Sequence, residues 1–254
     1  MAARSLAEIA ADPAGNQVIA GYSFSPADLA VDKRLPGISA FIRTRNGADY
    51  IAASIESHLA SFDEVVVVYN QCTDDTPNIV RRLVQQHGSR VRAYEYADRV
   101  FPPGSEGHAA TPGDSPNSFV NLTNVALALT RHRIVTKVDD DHLAIPDALA
   151  SLVQRLRADG SGRFLECFSG LNLMRGPGGQ LGINSRVIFS GIGDVGFFEV
   201  NPSRYYTHDR RFEVFRMDGL RRRFAGIAYW HLKYLKTGNG FANRSEERRV
   251  GKEC

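Results

Sequence analysis

Three consecutive aspartates end an apolar strand in residues 118–142, which read SFVNLTNVALALTRHRIVTKVDDDH. Apolar residues recur at helical spacing from Phe119 to Leu129, and the apolar segment 134–138 then predicts a strand that runs into Asp139. Adjacent carboxylates repel one another, so a divalent cation such as Mg²⁺ or Mn²⁺ would stabilise them there. Such cations bind carboxylate and phosphate oxygens. The cluster therefore predicts a metal site that a diphosphate completes.

The geometry of a strand suggests how the three aspartates divide. Side chains two positions apart on an extended strand point the same way, so we expect Asp139 and Asp141 to face one site and Asp140 another. A solvated turn is the alternative interpretation, because aspartates also favour the N-terminal end of a following helix. Pro146 begins such a helix. The residues alone leave both interpretations open.

Alternating strand and helix signals extend on both sides of this stretch. Thr76 is a candidate N-cap of one helix, with Pro77 in its first turn and Gly88 at its end. Residues 101–118 are rich in proline and glycine and predict a long loop. The predicted strands are 38–44, 65–68, 90–97 and 134–138, and the predicted helices begin near residues 51, 76, 119 and 146.

The later part of the chain has a different texture. Short β-like segments are predicted at 163–168, 171–174 and 185–190, and a helix over 208–217. Repeated strand–helix units followed by mixed β and loop structure indicate a single α/β domain. Ligands in such sheets bind beyond the carboxyl ends of the strands, which is where the aspartates lie.

The two ends of the chain are set apart from this domain, which we expect to span residues 37–243. Residues 1–36 show weak periodicity and are predicted to be a peripheral N-terminal extension. Residues 244–254 are strongly polar and are expected to be a non-native tail, which would make the chain a C-terminally truncated version.

The composition is that of an ordinary globular protein. The chain has 254 residues and a formal net charge of +3, an excess too small to predict a nucleic-acid-binding protein. The longest run of β-branched aliphatic residues, Val65–Val68, is far too short to span a bilayer. Three widely spaced cysteines argue against a disulfide framework and favour a reducing compartment. We therefore expect a cytoplasmic protein.

Three blocks of sequence carry a family resemblance. They read ISAFIRTRNGADYIAASIESHL from residue 38, DEVVVVYNQCTDDTPNIVRRL from residue 63, and the stretch 118–142. In this order and spacing they resemble the first half of a GT-A glycosyltransferase of the family 2 type. The resemblance implies a Rossmann-like mixed sheet flanked by helices, a nucleotide-diphosphate sugar donor, and Mn²⁺ or Mg²⁺ as cofactor. It also implies that residues 37–160 bind the nucleotide sugar and that 161–243 form a β- and loop-rich acceptor half.

The resemblance assigns site residues to the ends of the predicted strands. Tyr69 and Asn70 stand where the family has two aspartates that meet the base, which leaves the base open, with UDP-sugars as the leading expectation. Arg43 replaces a proline and could reach phosphate oxygens. The expected nucleotide-sugar contacts are Thr44, Arg45, Asn46, Asn70, Asp74, Asn124, Lys137, Asp139 and Asp140, and the expected metal ligands in this half are Asp139 and Asp141.

Later residues complete the implied site. An inverting transfer needs a carboxylate that takes the proton of the acceptor hydroxyl, and Asp209 is the best positional match, ahead of Asp194 and Glu213. The alternative is that Asp209 merely caps its predicted helix. The resemblance also suggests His231 as a metal ligand and Lys233 at the diphosphate, against the alternative of a structurally satisfied histidine.

Two further patterns have weaker functional interpretations. Residues 191–196 (GIGDVG) fit G-x-G-x-x-G, but no helix start follows them, and we interpret them as a flexible loop of the acceptor site. The arginines at 210–211, 216 and 221–223 could touch anionic lipid, which would suit a lipid-linked acceptor and peripheral membrane association. A solvated helix face is the commoner explanation for such a run.

The predicted function is transfer of a sugar from a nucleotide-diphosphate sugar to a glycan or lipid-linked acceptor. One alternative is a metal-dependent phosphohydrolase, which would need a second cluster of histidine and acidic ligands. The other is a catalytically inactive domain with the same fold.

Overall fold

The structure is a computed structural model that describes residues 6–11 and 17–237, without the side chains of residues 7, 11 and 192–194. The predicted tail at 244–254 lies outside the described residues. None of the described helices is long and apolar enough to cross a membrane.

Helices and strands alternate through the first part of the chain, and strands dominate the rest. The helices are α1 (Leu6–Ala11), α2 (Ile51–Leu59), α3 (Thr76–His87), α4 (Glu106–Ala110), α5 (Phe119–Ala128) and α6 (Pro146–Asp159). The strands are β1 (Gln17–Ile19), β2 (Leu35–Thr44), β3 (Glu64–Asn70), β4 (Val91–Tyr96), β5 (His132–Lys137), β6 (His142–Ala144), β7 (Phe164–Arg175), β8 (Leu181–Ile183), β9 (Phe189–Glu199), β10 (Tyr206–His208), β11 (Glu213–Phe215) and β12 (Arg221–His231).

A large mixed sheet forms the centre of the molecule. Its strand order is β1-β4-β3-β2-β5-β9-β7-β12-β6, and β8 pairs with β7 beside this path. The five strands from β1 to β5 run parallel, whereas β9 is antiparallel to both β5 and β7. This sheet with its flanking helices confirms the predicted α/β class, a mixed sheet flanked by helices.

The parallel strands are buried on both faces because helices cover both sides, as parallel sheets require. In β3, Val66 and Val68 belong to a core shared with α5, while Val65 and Val67 belong to a second core shared with α2, α3 and α6. Consecutive strand residues point to opposite faces, so an unbroken run of valines serves both cores. Strand β2 pairs in parallel with β3 on one side and with β5 on the other, so the carboxyl ends of these three strands meet at one edge of the sheet.

The N-terminal residues take part in this core, in contrast to the predicted peripheral segment. Strand β1 pairs with β4, and Leu6 and Leu29 are fully buried. The guanidinium of Arg92, itself buried, donates a hydrogen bond to the carbonyl of Ala10 and ties α1 to the sheet. The N-terminal residues are thus needed to cover one face of the parallel sheet.

Three local predictions of secondary structure are wrong. Residues 208–217 form part of the β10–β11 hairpin and not a helix, because Glu213 and Phe215 face inward while Val214 is exposed, a period of two. The segment 191–196 lies within strand β9 and is not a loop. The predicted segments 163–168 and 171–174 are one continuous strand, β7.

Candidate functional site

The three aspartates lie in a turn just beyond β5. The strand ends at Lys137, and the amide of His142 donates to the carbonyl of Asp139 to close the turn. The alternation expected of an extended strand therefore does not apply. Asp140 and Asp141 share one cationic partner, whereas Asp139 points to a different set of groups. One lysine thus joins Asp140 to Asp141, which the alternation of a strand does not predict, while Asp139 and Asp141 both lie near His142.

The shared partner of Asp140 and Asp141 is the ammonium of Lys236. Its Nζ lies 2.5 Å from Asp140 Oδ1 and 2.9 Å from Asp141 Oδ2. Lys233, the predicted lysine, lies in a short 3₁₀ helix (Lys233–Leu235) that brings Lys236 over the carboxylates. Sequence reasoning missed Lys236, although its position three residues after Lys233 made it an equal candidate.

The end of β2 and the loop after it pack closely against the Asp140 carboxylate. Thr44 donates its hydroxyl proton to Asp140 Oδ2 at 2.5 Å. A Cβ atom at Gly47 would lie 2.4 Å from that same oxygen, so the position admits only glycine. Burial raises the pKa of the Asp140 carboxyl, against the opposing effect of Lys236. Thr44, a predicted nucleotide-sugar contact, thus bonds directly to the aspartate turn.

Asp141 belongs to a compact group of possible metal ligands. One ligand atom from each of Asp141, His142 and His231 lies within 4.8 Å of the other two. His231 Nε2 is 3.5 Å from Asp141 Oδ1. Burial would raise the pKa of Asp141, but the bond from His231 and the charge of Lys236 hold it below its usual range. The structure thus brings together the predicted pair Asp141 and His231 and adds His142.

The orientation of His231 follows from Asn172 on the neighbouring strand β7. The Asn172 amide nitrogen donates to the carbonyls of Val187 and Phe189, which leaves its Oδ1 facing His231 Nδ1 at 2.6 Å. Nδ1 then donates to Asn172, and Nε2 is the ring nitrogen that faces Asp141 and would bind a metal ion. Metal-bound histidines are commonly held in this way by an acceptor on the second ring nitrogen.

These residues fit a divalent cation. The group contains one carboxylate and two imidazoles, a donor set that Mn²⁺ accepts. The ammonium of Lys236 already pairs with Asp140 and Asp141, so these carboxylates stabilise positive charge at this place. Burial lowers the pKa of His142 to about 3, so its imidazole is neutral at pH 7, as metal ligation requires. Asp139 Oδ2, 3.6 Å from His142 Nε2, lies at the border of this group.

Asp139, which is partly exposed, also belongs to a charge cluster that links β2, β5 and β11 to the aspartate turn. Arg43 Nη1 is 2.7 Å from Glu213 Oε1, and Arg43 Nη2 is 3.5 Å from Asp139 Oδ1. Lys137 Nζ lies 3.2 Å from the same oxygen of Glu213. Burial would raise the pKa of Asp139, but His142, Lys137 and Arg43 hold it below its usual range. Arg43 is thereby paired with protein carboxylates and stacked 4.6 Å from the ring of Phe119.

The predicted catalytic carboxylates have different positions. Asp209 is exposed in the turn between β10 and β11, where its Oδ1 accepts a hydrogen bond from the amide of Arg211. It caps that turn and makes no contact with the aspartate cluster among the described residues. Asp194 lies in β9, and its side chain is outside the described set. Glu213 is buried between Arg43 and Lys137.

The loops that follow β2 and β3 are fastened to each other. Asn46 and Thr73 exchange two hydrogen bonds, of 3.1 and 2.7 Å. Asp74 accepts from the amides of Ala48 and Thr76, at 3.0 Å each. Asn46 has a positive φ of 56°, a conformation that asparagine tolerates better than most residues. These predicted nucleotide contacts thus shape the rim of the site.

The remaining predicted contacts are mainly structural. Asn70 donates to the carbonyls of Tyr96 and Asp98, at 2.7 Å each, and its buried Oδ1 has no partner. Asn124 exchanges two hydrogen bonds of 2.8 Å with the backbone of Tyr206 and so holds the hairpin. Arg45 is half-buried and has no hydrogen bond or ion pair to another described residue.

A family comparison bears on the first half of this architecture. A family model described as β-1,4-N-acetylgalactosaminyltransferase (CgtA) matches residues 24–149, just under half of the chain. The matched range includes the aspartate turn, whereas His231 and Lys236 lie beyond it. Residues 24–149, with the parallel strands and the aspartate turn, are thus similar to a family of glycosyltransferases.

Solved glycosyltransferase structures overlap with the chain at low TM-scores. S. aureus TarS 1–349 is 19% identical over 76% of this chain and 60% of its own, with a TM-score of 0.44. A Pyrobaculum calidifontis mannosyltransferase with GDP-Man and Mn²⁺ is 25% identical over 57% and 38%, with a TM-score of 0.38. Glucosyl-3-phosphoglycerate synthase from Mycobacterium tuberculosis, with Mn²⁺, UDP-Glc and phosphoglyceric acid, is 15% identical over 84% and 78%, at 0.42. The chain thus spans 60% of the length of TarS 1–349 and 38% of the length of the mannosyltransferase.

Proposed function

We propose that this chain binds a nucleotide-diphosphate sugar together with Mn²⁺ or Mg²⁺ and transfers the sugar to a glycan or lipid-linked acceptor. The observation that carries the proposal is the convergence of Asp139, Asp141, His142 and His231 beside the carboxyl ends of β2 and β5. Among these four side chains, those of Asp141 and His142 are almost fully buried and that of His231 is largely buried. Only the Asp139 side chain is substantially exposed to solvent. A site open at one carboxylate suits a ligand that approaches from the rim.

Asp141 and His231, with His142, would hold the metal ion. When bound, the ion would neutralise charge on the diphosphate leaving group, which is the main electrostatic demand of such a transfer. Lys236 adds a positive charge at the same place. Its long side chain can turn from Asp140 and Asp141 to a phosphate oxygen once the carboxylates have another cation.

The rim formed by the β2–α2 and β3–α3 loops would receive the nucleotide. Asn46, Thr73 and Asp74 fix the two loops against each other, so the surface is formed before the ligand arrives. Preformed sites lose less conformational entropy on binding. A UDP-sugar is our leading donor, and UDP-N-acetylgalactosamine is its first candidate because of the name of the matching family model.

For the general base we retain Asp209 and Asp194. Glu213 is a poor base, because Arg43 and Lys137 lower its pKa against the raising effect of burial. A base must accept a proton near the working pH. We expect Asp209→Asn or Asp194→Asn, whichever removes the base, to lower the transfer rate by at least about a hundredfold while nucleotide binding is retained.

Calorimetric titration with UDP and GDP, with and without Mn²⁺, tests the proposal. We expect at least one nucleotide to bind about tenfold more tightly with the metal, and Asp141→Asn to abolish that gain. Asp32→Asn, at an exposed position, is the matched control and should behave as the unsubstituted chain does. The proposal is wrong if no nucleotide responds to the metal or if Asp141→Asn leaves the response intact.

The alternative functions predict different assay results. A phosphohydrolase would turn over phosphate esters without any sugar donor, and it needs a second ligand cluster, whereas the described residues contain one such group. An inactive GT-A-like domain would bind the nucleotide with metal but neither transfer nor hydrolyse the sugar. A hydrolysis panel of nucleotide sugars with Mn²⁺ separates all three.

A further inference from the structure

A flap of the sheet, residues 171–189, exposes an unusual amount of apolar surface. It consists of the end of β7, strand β8, the loop after it and the start of β9. Of thirteen large hydrophobic side chains that are exposed in the described part of the chain, six belong to this flap. Soluble proteins rarely expose contiguous apolar patches unless these bind something. The six are Met174, Leu181, Ile183, Val187, Ile188 and Phe189.

The strand register places three of these side chains, Leu181, Ile183 and Phe189, on one face of the flap. Arg175 pairs with Leu181 and Leu173 with Ile183 in the antiparallel pair of β7 and β8. On the other side of β7, Leu171 pairs with Phe189. Directly paired residues share a face, as do residues two apart on one strand. One face of the flap therefore carries Leu171, Leu173, Arg175, Leu181, Ile183 and Phe189.

The charge of this segment has a single sign. Residues 167–193 contain two arginines, Arg175 and Arg186, and no lysine, aspartate or glutamate. Both arginines are exposed. Apolar side chains flanked by arginine and free of acidic groups are complementary to the interface of an anionic bilayer. The absence of acidic residues would have no effect on a face that contacts only water, whereas it removes repulsion from an anionic surface.

The flap also lies next to the metal-site residues. Asn172, which holds His231, is on the opposite face of β7 from Leu171 and Leu173 and donates to the carbonyls of Val187 and Phe189. Contact of the apolar face with a bilayer would therefore bring the site to the membrane surface. This differs from the membrane contact considered for the arginines at 221–223, where Arg223 pairs with Glu166 on β7.

We propose that the apolar face of the flap docks on the surface of an anionic phospholipid bilayer. Leu181, Ile183 and Phe189 insert at the boundary between head groups and acyl chains, and Arg175 pairs with lipid phosphate. The proposal does not depend on glycosyltransfer, because docking needs neither nucleotide nor metal.

Vesicle co-flotation of the full chain tests this surface, with phosphatidylcholine vesicles compared with vesicles that also contain phosphatidylglycerol. We expect binding to the anionic vesicles that weakens as salt is added. The variant Leu181→Ser/Ile183→Ser/Phe189→Ser should bind roughly a hundredfold more weakly. The matched control Val18→Ser/Val214→Ser/Phe224→Ser removes three equally exposed apolar side chains elsewhere and should bind as the unsubstituted chain does.

A second variant covers the case in which the triple variant does not fold. Arg175→Gln should weaken binding to the anionic vesicles about fivefold and leave binding to phosphatidylcholine unchanged. Three results would overturn the proposal: equal binding to both vesicle types, flap and control variants that bind alike, or a dimer in light scattering that only the flap variant abolishes. The last would assign the apolar face to a second copy of the chain.

Discussion

Asn172 determines which ring nitrogen of His231 faces Asp141. Its own amide is fixed by two backbone carbonyls, so its Oδ1 can only accept from His231 Nδ1. No sequence signal distinguishes Asn172 from other asparagines of the chain. Its role arises because β7 and β12 pair in parallel with Asn172 opposite His231.

Replacement of Asn172 should weaken metal binding. For Asn172→Ala we expect the Kd of Mn²⁺, measured by calorimetry in the presence of UDP, to rise about 10- to 100-fold, because His231 loses the acceptor that orients it. Asn78→Ala, at an exposed position of α3, is the control and should leave the Kd unchanged. An unchanged Kd in Asn172→Ala would contradict the assigned orientation of His231.

Lys236 stabilises two neighbouring carboxylates in the absence of metal. With Lys236→Met, Asp140 and Asp141 lose their shared cation, and we expect the free energy of unfolding without metal to fall by about 2 kcal/mol. Mn²⁺ should then raise the Tm of the variant more than that of the unsubstituted chain. Thermal melts with and without Mn²⁺ measure both effects, with exposed Lys33→Met as the control.

Equal Tm increments with Mn²⁺ in Lys236→Met and the unsubstituted chain would contradict this account. They would mean that Lys236 and the metal ion do not relieve the same repulsion.

At the scale of elements, the β10–β11 hairpin closes one side of the site. Asn124 on α5 bonds to the hairpin backbone at Tyr206. His108 on α4 donates to the carbonyl of Asp209 at 3.0 Å, and His208 on β10 donates to the carbonyl of His108 at 2.9 Å. Glu213 on β11 then reaches Arg43 and Lys137. The hairpin is thus held by polar contacts to two helices and by a buried ion cluster.

Neutralising Glu213 should loosen the hairpin. In Glu213→Gln, Arg43 and Lys137 remain buried with Asp139 as their remaining carboxylate, and we expect the free energy of unfolding to fall by about 3 kcal/mol. Urea denaturation at pH 7 measures the change. Glu106→Gln, on the exposed side of α4, should stay within about 0.5 kcal/mol of the unsubstituted chain. A Glu213→Gln variant as stable as this control would show that the cluster contributes nothing.

At the scale of the whole molecule, buried histidines make stability depend on pH. His58 is almost fully buried on α2, and burial lowers its pKa to about 4. In the unfolded chain a histidine titrates near 6.5. Between these values the unfolded chain binds more protons than the folded one, so the stability from neutral His58 is complete above about pH 6.5 and is lost as pH falls towards 4.

Removing His58 should therefore flatten the pH profile. For His58→Leu we expect the fall in unfolding free energy between pH 6.5 and 4 to be smaller by about 3 kcal/mol than in the unsubstituted chain. Urea denaturation at several pH values across this window measures it. Identical slopes for the two proteins would exclude His58 as a source of acid sensitivity.

The residue patterns by themselves determined the α/β class, most of the parallel strands and the position of the aspartates at a strand end. Local signals suffice there, because valine runs, first-turn prolines such as Pro146 and helical spacing depend on neighbours in sequence. The same local reasoning gave a helix for residues 208–217, since it could not see that Phe215 packs against Phe198 at a ring-centroid distance of 4.4 Å.

Only the tertiary structure decided which side chains meet at the site. Asp139 to Asp141 were visible in sequence, but their partners come from residues 30 to about 100 positions away: Asn172 orients His231, Lys236 joins Asp140 to Asp141, and Glu213 neutralises Arg43. Such pairings depend on strand order and register, which arise from packing of the whole sheet. Spacing along the chain carries no information about them, because the energy that fixes them is gained only when distant segments are buried together.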